Sequence, residues 1–311
     1  MGVLEQQYGS ASASSSSKSG YSTPRRKPLL FLHEELLEDA KQVMYDPVEG
    51  SLSPCKLPEL QSPVQCIASA YGWLLLLSRK SRCFFFFNPF THSRINLPYP
   101  KFMINSAVFT DPPTSSSCVI YIFYTICLDG SFYRLEMDDL KKENPKWIYW
   151  AKTILPVKQA IYSYGHVYCI DSLGKFGHYD IGTRTWTARA VTNMFTVLRN
   201  AYLVASGGEV FAVTRDPGGE FTGVFKLKFK ENDQKRVRLE KVTSLGNFTF
   251  FAGPCGSFST FVKGMENKVC IADYKGDQKC AIYNVEDASK NIVLDVPEYG
   301  VDYTPVWILK H

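Results

Sequence analysis

The sequence predicts an all-β protein, a single β-propeller of about six four-stranded blades, with seven blades as the alternative. Three observations predict this fold. Hydrophobic residues make up 45% of the 311 residues and aromatic residues 14%, and the excess lies in aromatic and β-branched types that favour strands. A turn motif recurs at intervals of 42 to 52 residues. A glycine followed by an apolar run precedes several of these turns.

The recurrent turn motif is an aromatic or apolar residue followed closely by Asp or Asn. These side chains hydrogen-bond the backbone two residues further on and thereby begin a turn. The motif occurs at Asp46, Asn88, Asp138, Asp180, Asn232 and Asn284. Units of this length that contain several short strands are typical of propeller blades.

The glycine feature stands at the opposite end of each unit. Gly72 precedes its Asn by 16 residues, Gly165 precedes its Asp by 15, and Gly207–Gly208 occupy the same place in a third unit. Each unit therefore consists, in chain order, of a glycine, a strand, a short turn, a second strand, a turn that begins with Asp or Asn, and an outer strand. We expect the ring to close by pairing residues 303–310 with residues 28–32, because closure removes an exposed sheet edge.

The chain divides into a tail and one domain. Residues 1–27 are a Ser-rich, basic segment that is predicted to be disordered, because so few apolar residues cannot offset the entropy of ordering. Residues 28–311 are predicted to form the propeller. No secretory signal opens the chain, so a cytoplasmic or nuclear location is expected, with an organellar transit peptide as the alternative. No apolar run approaches the roughly 18 residues of a membrane span, so no membrane partner is expected.

Charge and reactive residues indicate no enzyme. The formal net charge is +5 and is carried largely by the tail, so the near-neutral body gives no reason to expect a nucleic-acid partner. The nine cysteines include no CxxC pair, and we predict neither a metal site nor a cofactor. The best cluster, His166 and His178 with Asp171 and Asp180 nearby, is interpreted as ordinary histidines. No catalytic residue is predicted.

Two features are candidates for binding a partner. Trp147 and Trp150 are three residues apart, so both cannot face inward from a regular strand; one is expected at the surface, where Trp is enriched in binding hot spots. Lys226, Lys228 and Lys230 alternate with apolar residues and so share one face of a sheet. The other interpretation of these lysines is a solvated edge strand protected by charge.

Several segments resemble a known family. Residues 71–76, 84–91 and 95–98 read YGWLLL, FFFFNPFT and INLP, and the similarity continues through later segments as far as CGSFS at 255–259. The pattern resembles the plant F-box-associated, kelch-like β-propeller family, long known as a domain of unknown function. By this resemblance the structural motif positions are Gly72, Trp73, Asn88, Pro89, Phe90, Leu97, Pro98, Gly208, Gly246 and Ser257.

The resemblance implies a propeller that presents a protein-binding surface. In many relatives an N-terminal F-box joins the propeller to a ubiquitin-ligase scaffold, so that the propeller selects the substrate. Residues 1–27 are too short for the helices of an F-box, so neither an F-box nor a Skp1-type adaptor is expected here. The predicted function is a non-catalytic protein-interaction module with an unknown protein partner. The alternative is a small-ligand-binding or enzymatic propeller that uses its central channel.

Overall fold

The fold was analysed in a computed structural model, which describes residues 27–34, 42–60, 63–126, 129–153, 156–192, 197–229, 236–272, 278–295 and 303–310. These residues contain 25 strands, which form a ring of six blades. The predicted all-β propeller is therefore confirmed, with six blades rather than seven. The described part of the chain has no helix that is both long and apolar enough to cross a membrane. Three short 3-10 helices lie at Pro58–Leu60, Met137–Lys141 and Val197–Asn200.

The first three blades use the N-terminal half of the chain and the last strand. Blade 1 contains β1 (Lys27–Glu34), β2 (Gln42–Asp46), β3 (Ser51–Cys55) and β25 (Tyr303–Lys310). Blade 2 contains β4 (Gln65–Ala70), β5 (Trp73–Ser78), β6 (Cys83–Asn88) and β7 (Ser93–Leu97). Blade 3 contains β8 (Ser106–Phe109), β9 (Val119–Ile126), β10 (Asp129–Glu136) and β11 (Ile148–Thr153).

The other three blades follow in chain order. Blade 4 contains β12 (Val157–Ser163), β13 (His166–Asp171), β14 (Phe176–Asp180) and β15 (Thr185–Thr192). Blade 5 contains β16 (Tyr202–Ser206), β17 (Glu209–Arg215), β18 (Phe221–Phe229) and β19 (Arg236–Val242). Blade 6 contains β20 (Phe248–Ala252), β21 (Phe258–Phe261), β22 (Lys268–Ala272), β23 (Gln278–Asn284) and β24 (Lys290–Asp295).

Blade 6 departs from the pattern of four strands. Its sheet runs β21, β20, β22, β23, β24, so β20 lies between the innermost strand and the next one. β20 is parallel to β22 and antiparallel to β21. The segment that joins β20 to β21 therefore lies at the inner edge of the blade, next to the propeller axis.

The ring closes in blade 1. The C-terminal strand β25 pairs antiparallel with β1, from Lys27 opposite Lys310 to Glu34 opposite Tyr303. This is the predicted pairing, and it leaves β25 as the innermost strand of a blade whose other strands come from the N-terminal end. Closure of this kind ties the two ends of the described chain together and removes the edge of the sheet.

The core consists of six apolar clusters, one at each interface between neighbouring blades. Strand β6 shows how the sequence supplies them: Phe84 and Phe86 pack toward blade 3, whereas Phe85 and Phe87 pack toward blade 1. Successive side chains of a strand point to opposite faces, and both faces of a blade are covered by neighbours. A fully apolar run is therefore the expected sequence of such a strand, and it explains the aromatic excess.

Candidate functional site

The glycines of the repeat are found in the turns between the innermost strand and the next strand. Tyr71–Gly72, Tyr164–Gly165 and Gly207–Gly208 are the central pairs of these turns in blades 2, 4 and 5. All of these residues have positive φ, between 46° and 81°. Two consecutive residues with positive φ are typical of the tight hairpin turns that match strand twist. We call the face of the ring that carries these turns the turn face.

The turn face exposes aromatic side chains close to the axis. Tyr164 is 76% exposed, Phe261 56%, Phe248 45% and Tyr71 36%. Phe248 and Phe261 are paired across β20 and β21, at the end of the hairpin remote from its connecting segment. The ring of Tyr164 lies against Gly208 of the next blade, 3.6 Å from the position a β carbon would occupy there.

The axis of the ring is occupied by the chain itself. Residues 253–257, between β20 and β21, reach from blade 6 to two blades on the far side of the ring. Ser69 N of blade 2 donates to Cys255 O at 2.7 Å, and Gln159 Nε2 of blade 4 donates to Gly253 O at 2.9 Å. We call residues 253–257 the axial segment. It crosses the centre of the ring, where the alternative function would place its ligand.

Two residues determine how closely the axial segment packs. A β carbon at Gly256 would lie 2.4 Å from Ser69 O, so only glycine fits at this position. Gln159 is buried, and its Oε1 accepts from Leu203 N at 2.8 Å while its Nε2 bonds Gly253 O. Gln159 thus links blades 4, 5 and 6 through a single side chain.

A pocket of about 420 Å³ opens at the axis on the face opposite the turn face. Its lining includes the first residues of the innermost strands of several blades, and the axial segment forms part of its wall. We call it the axial pocket. The described residues that line it are Gln65, Cys66, Ile67, Asn105, Lys158, Gln159, Asn200, Tyr202, Arg215, Pro254 and Cys255. The described lining thus contains two cations and four amides beside its apolar residues.

The family-motif residues of blade 2 lie in turns or pack in the core, so their roles are structural. Gly72 is in the turn and Trp73 is buried against blade 3. Asn88 Oδ1 accepts from the backbone N–H groups of Phe90 and Thr91 at 2.9 and 3.1 Å. Pro89, within the same turn, is buried and Phe90 packs against the cluster between blades 1 and 2.

The remaining motif residues serve similar roles. Leu97 is buried in the cluster between blades 2 and 3, and Pro98 O accepts a hydrogen bond from Trp147 Nε1 at 2.8 Å. Gly208 is in the turn of blade 5, and Gly246 has a φ of 61° in the turn before β20. Ser257 ends the axial segment, where its Oγ lies 3.3 Å from Gln159 Nε2.

The two tryptophans proposed to reach a partner are both partly buried. Trp147 packs against the cluster between blades 2 and 3, whereas Trp150 packs against the one between blades 3 and 4. Trp147 directly precedes β11 and Trp150 lies within it, and both sides of the blade are covered, so both side chains can pack. Arg134 and Arg184 lie over the Trp150 ring at 4.1 and 4.8 Å. Binding of a partner through either tryptophan stays a prediction.

The lysine face of β18 is not a sheet edge. β19 pairs with β18 from Val224 to Phe229, and β19 in turn pairs in parallel with β15 of blade 4. Lys226 forms an ion pair with Glu209, and Lys228 lies 3.8 Å from Glu240. The interpretation of Lys226 and Lys228 as protection of an edge strand is therefore wrong. Lys230 lies outside the described residues, and partner binding by this face stays a prediction.

No catalytic constellation is found among the described residues. His178 Nε2 lies 3.1 Å from His166 Nδ1, and His166 Nδ1 lies 3.8 Å from Asp180 Oδ2. Within the part of the chain that the structure describes, no three His, Cys, Asp or Glu residues could together hold a metal ion. Burial raises the pKa of Cys118 to about 11, so this thiol is a poor nucleophile near neutral pH.

Sequence reasoning missed the exposed aromatics and the axial pocket. A Tyr-Gly pair at a hairpin tip was the available signal for Tyr71 and Tyr164, since a turn residue cannot pack into the sheet below it. The axial pocket had no local signal, because its lining comes from five blades.

Comparison with known proteins identifies the family. The profile of the KIB1-4 beta-propeller family matches residues 44–284. The chain belongs to this family. The matched range runs from β2 to β23, and so includes blades 2 to 5, the axial segment and four of the five strands of blade 6, but only β3 and part of β2 from blade 1. The resemblance drawn from the sequence motifs is thereby confirmed.

Curated relatives come from Arabidopsis thaliana. An F-box protein is 26% identical over 266 residues, which cover 79% of this chain and 66% of that protein. An F-box/kelch-repeat protein is 26% identical over 233 residues, which cover 68% of this chain and 60% of that protein. The chain thus spans less than two thirds of the length of each of these relatives.

Among solved structures, the crystal structure of TolB from Acinetobacter baumannii superposes with a TM-score of 0.56 over 91% of this chain and 66% of that one. The identity is 12%, so the similarity concerns the propeller fold alone.

Proposed function

We propose that this chain is a non-catalytic protein-interaction module that binds its partner on the turn face. By analogy with the propeller of an F-box protein, the bound partner is a protein selected for ubiquitination, and the chain acts as the receptor. The observation that carries the proposal is Tyr164, which is 76% exposed and has a φ of 46°.

A tyrosine at position 164 is unfavourable for folding. Non-glycine residues with positive φ are uncommon, and a bulky side chain there is strained. The equivalent position in blade 5 is Gly207, which adopts the same backbone without strain. Folding alone would favour Gly or Asn at position 164. A large aromatic side chain that is both strained and exposed supports a role in binding.

The surroundings of Tyr164 support a protein as the partner. Phe248, Phe261 and Tyr71 are exposed on the same face, so several aromatic side chains surround the axis. Aromatic residues are enriched in the buried centres of protein interfaces, and exposed apolar patches mark interaction sites. The relatives named above are F-box and F-box/kelch-repeat proteins, which supports the same class of function.

The test separates binding from folding. We expect the substitution Tyr164→Asn, combined with Phe261→Ser, to leave the thermal midpoint unchanged or raise it, because Asn tolerates positive φ. The same variant should lose the proteins that the wild-type chain captures from a plant extract, quantified by mass spectrometry. Leu173→Ser is the matched control, since Leu173 is 57% exposed in the turn after β13, on the opposite face.

The result that decides is the difference between the sets of proteins that the variants capture. Proteins retained by the wild type and the Leu173→Ser control, but lost from the aromatic variant, would support the proposal. If no captured protein depends on Tyr164 and Phe261 while all three chains remain folded, the turn face is not the binding surface and the proposal fails.

The alternative function, a small-ligand site, has one observation in its favour. The axial segment crosses the ring, and the axial pocket beside it is accessible from one face.

A further inference from the structure

We propose that the outer edge of blade 3 binds an acidic protein segment that carries large apolar side chains. The surface lies at the perimeter of the ring, on β11 and on the connection from blade 2 to blade 3. The aromatics of the turn face surround the axis instead, so this second surface goes beyond the proposed function. We call it the blade 3 patch, and its members are Tyr99, Phe102, Met103, Tyr133, Ile148 and Tyr149.

The blade 3 patch is continuous because its aromatic rings contact one another. The Phe102 ring stacks on the Tyr133 ring with centroids 4.3 Å apart, and the Tyr149 ring meets Tyr133 edge-on at 5.7 Å. Trp147 Nε1 donates to Pro98 O at 2.8 Å and so holds the connection against the beginning of β11. Every exposed residue of the patch either makes one of these contacts or is next in sequence to a residue that does.

Four large apolar side chains of the patch remain open to solvent. Met103 is 60% exposed, Tyr149 55%, Ile148 48% and Tyr99 37%. Single exposed apolar residues are common on protein surfaces, but contiguous groups mark interaction sites. Tyrosine and methionine are also among the residues that are enriched at the centres of protein interfaces. The blade 3 patch therefore has the composition of an interface core.

The strand that carries Ile148 and Tyr149 is the outermost strand of its blade. Among the described strands, β11 pairs only with β10. The next two blades differ, because their outermost strands β15 and β19 pair with each other and so cover both edges. An outermost strand with exposed apolar side chains is a place where another chain can pack. The position of the patch in the fold thus agrees with its composition.

The charge around the blade 3 patch indicates an acidic partner. Residues 98–103 and 137–153 contain five lysines and three carboxylates, a formal net charge of +2. Two of the three carboxylates form ion pairs with lysines of the same turn. Lys101 and Lys146 are exposed and stand beside the apolar members of the patch in the chain. An acidic segment complements this rim, because opposite potentials attract and fix the register of two surfaces.

The same observations disfavour two other occupants. A second copy of the chain would bring two positively charged surfaces together, and like charges that face each other are unfavourable. A nucleic acid would need open aromatic faces on which its bases stack, whereas Phe102 and Tyr133 stack on each other. A net charge of +2 is also small for a nucleic-acid site, which needs a clustered basic face.

The experiment selects peptides from a display library of random dodecapeptides, with the full-length chain as bait. Peptides that also bind the double variant Met103→Ser, Tyr149→Ser are removed first. We expect the remaining peptides to be enriched in Asp and Glu together with large apolar residues. Synthetic copies should bind the wild type saturably in fluorescence anisotropy. The double variant should bind them at least about tenfold more weakly, because truncation of interface anchors has effects of this size.

Leu52→Ser is the matched control for the apolar contacts, because Leu52 is 42% exposed on β3, the outermost strand of blade 1. It should bind the peptides as the wild type does. Lys146→Glu should weaken binding by about threefold at low salt and by less at high salt, since the charge is exposed. Lys263→Glu, at an exposed position after β21, should have no effect. Thermal midpoints establish that every variant remains folded.

Several results would overturn the proposal. They are the absence of peptides that depend on Met103 and Tyr149, selection of basic rather than acidic peptides, and equal weakening by Leu52→Ser. Tighter binding of an oligouridylate would identify a nucleic-acid site instead. Dimerisation in analytical ultracentrifugation that the double variant abolishes would identify a second copy as the occupant. Because Tyr164 and Phe261 stay unchanged, none of these results depends on the turn face.

Discussion

At the scale of single residues, Gly256 shows most directly how the path of the axial segment depends on side-chain size. Its neighbours on either side make bonds across the ring: Cys255 O accepts from Ser69 N, and Ser257 Oγ lies near Gln159. Gly256 itself is limited by the backbone of Ser69 rather than by a flexible side chain. Because backbone atoms in an inner strand cannot move aside alone, an added methyl group would displace the whole axial segment.

We therefore expect Gly256→Ala to lower the free energy of unfolding by about 1–3 kcal/mol, the usual effect of overpacking a well-packed region. The measurement is urea unfolding followed by circular dichroism. Gly182→Ala is the control, since a β carbon there would meet only the Asp180 side chain at 3.4 Å, and it should change stability by less than about 0.5 kcal/mol. Equal effects of the two substitutions would show that the axis tolerates a side chain.

At the scale of elements, four of the Asp and Asn residues of the repeat end the strand next to the outermost strand of a blade. Asp46 ends β2, Asn88 ends β6, Asp180 ends β14 and Asn284 ends β23. Asp46 Oδ1 accepts from Val48 N at 2.9 Å, as the turn chemistry predicts. Asp138 instead lies in a 3-10 helix, and Asn232 lies outside the described residues.

Asn88 tests whether this turn chemistry stabilises the blade. Asn88→Ala removes both bonds from Oδ1 and should lower the free energy of unfolding by about 1 kcal/mol. Asn88→Asp keeps the acceptor and should stay within about 0.5 kcal/mol of the wild type. Thermal and urea unfolding of the three chains give the comparison. If alanine and aspartate behave alike, the turn is held by its neighbours and not by the side chain.

At the scale of the whole molecule, stability comes from the apolar clusters between blades. Each cluster contains residues of two neighbouring blades and forms only when both are in place. Trp307 in β25 is buried in the cluster between blades 6 and 1, while Val306 and Ile308 of the same strand are buried between blades 1 and 2. One strand thus contributes to two of the six interfaces. The covalent chain is open, and pairing of β25 with β1 is what makes the ring continuous.

Deletion of residues 303–311 should therefore abolish the cooperative unfolding transition, because it exposes the β1 edge and opens two apolar clusters. Differential scanning calorimetry provides the measurement. Deletion of residues 1–26, which precede β1, is the control and also tests the predicted domain boundary. It should shift the midpoint by no more than about 2 °C, equivalent to roughly 1 kcal/mol. A cooperative transition near the wild-type temperature after the C-terminal deletion would contradict this account of closure.

Much of the fold could be predicted because its signals are local. The turn at Asn88 depends on hydrogen bonds to residues two and three positions further on. The run of four phenylalanines in β6 indicates that both faces of this strand are buried. Such signals depend on backbone preference and side-chain alternation, which a sequence displays directly. The candidate site was much harder to predict from the sequence. The exposed aromatics could be suspected only from the Tyr-Gly pairs.

The sequence by itself determined the class of fold, the period of the repeat and the strands that close the ring, and it left six or seven blades as alternatives. Only the tertiary structure decided that β20 is inserted into blade 6, that residues 253–257 cross the centre of the ring, and that Lys158 and Arg215 share one pocket. The physical reason is separation along the chain. Cys255 Sγ donates to Cys66 O across 189 positions, and no local preference records a contact that exists only when all six blades have met.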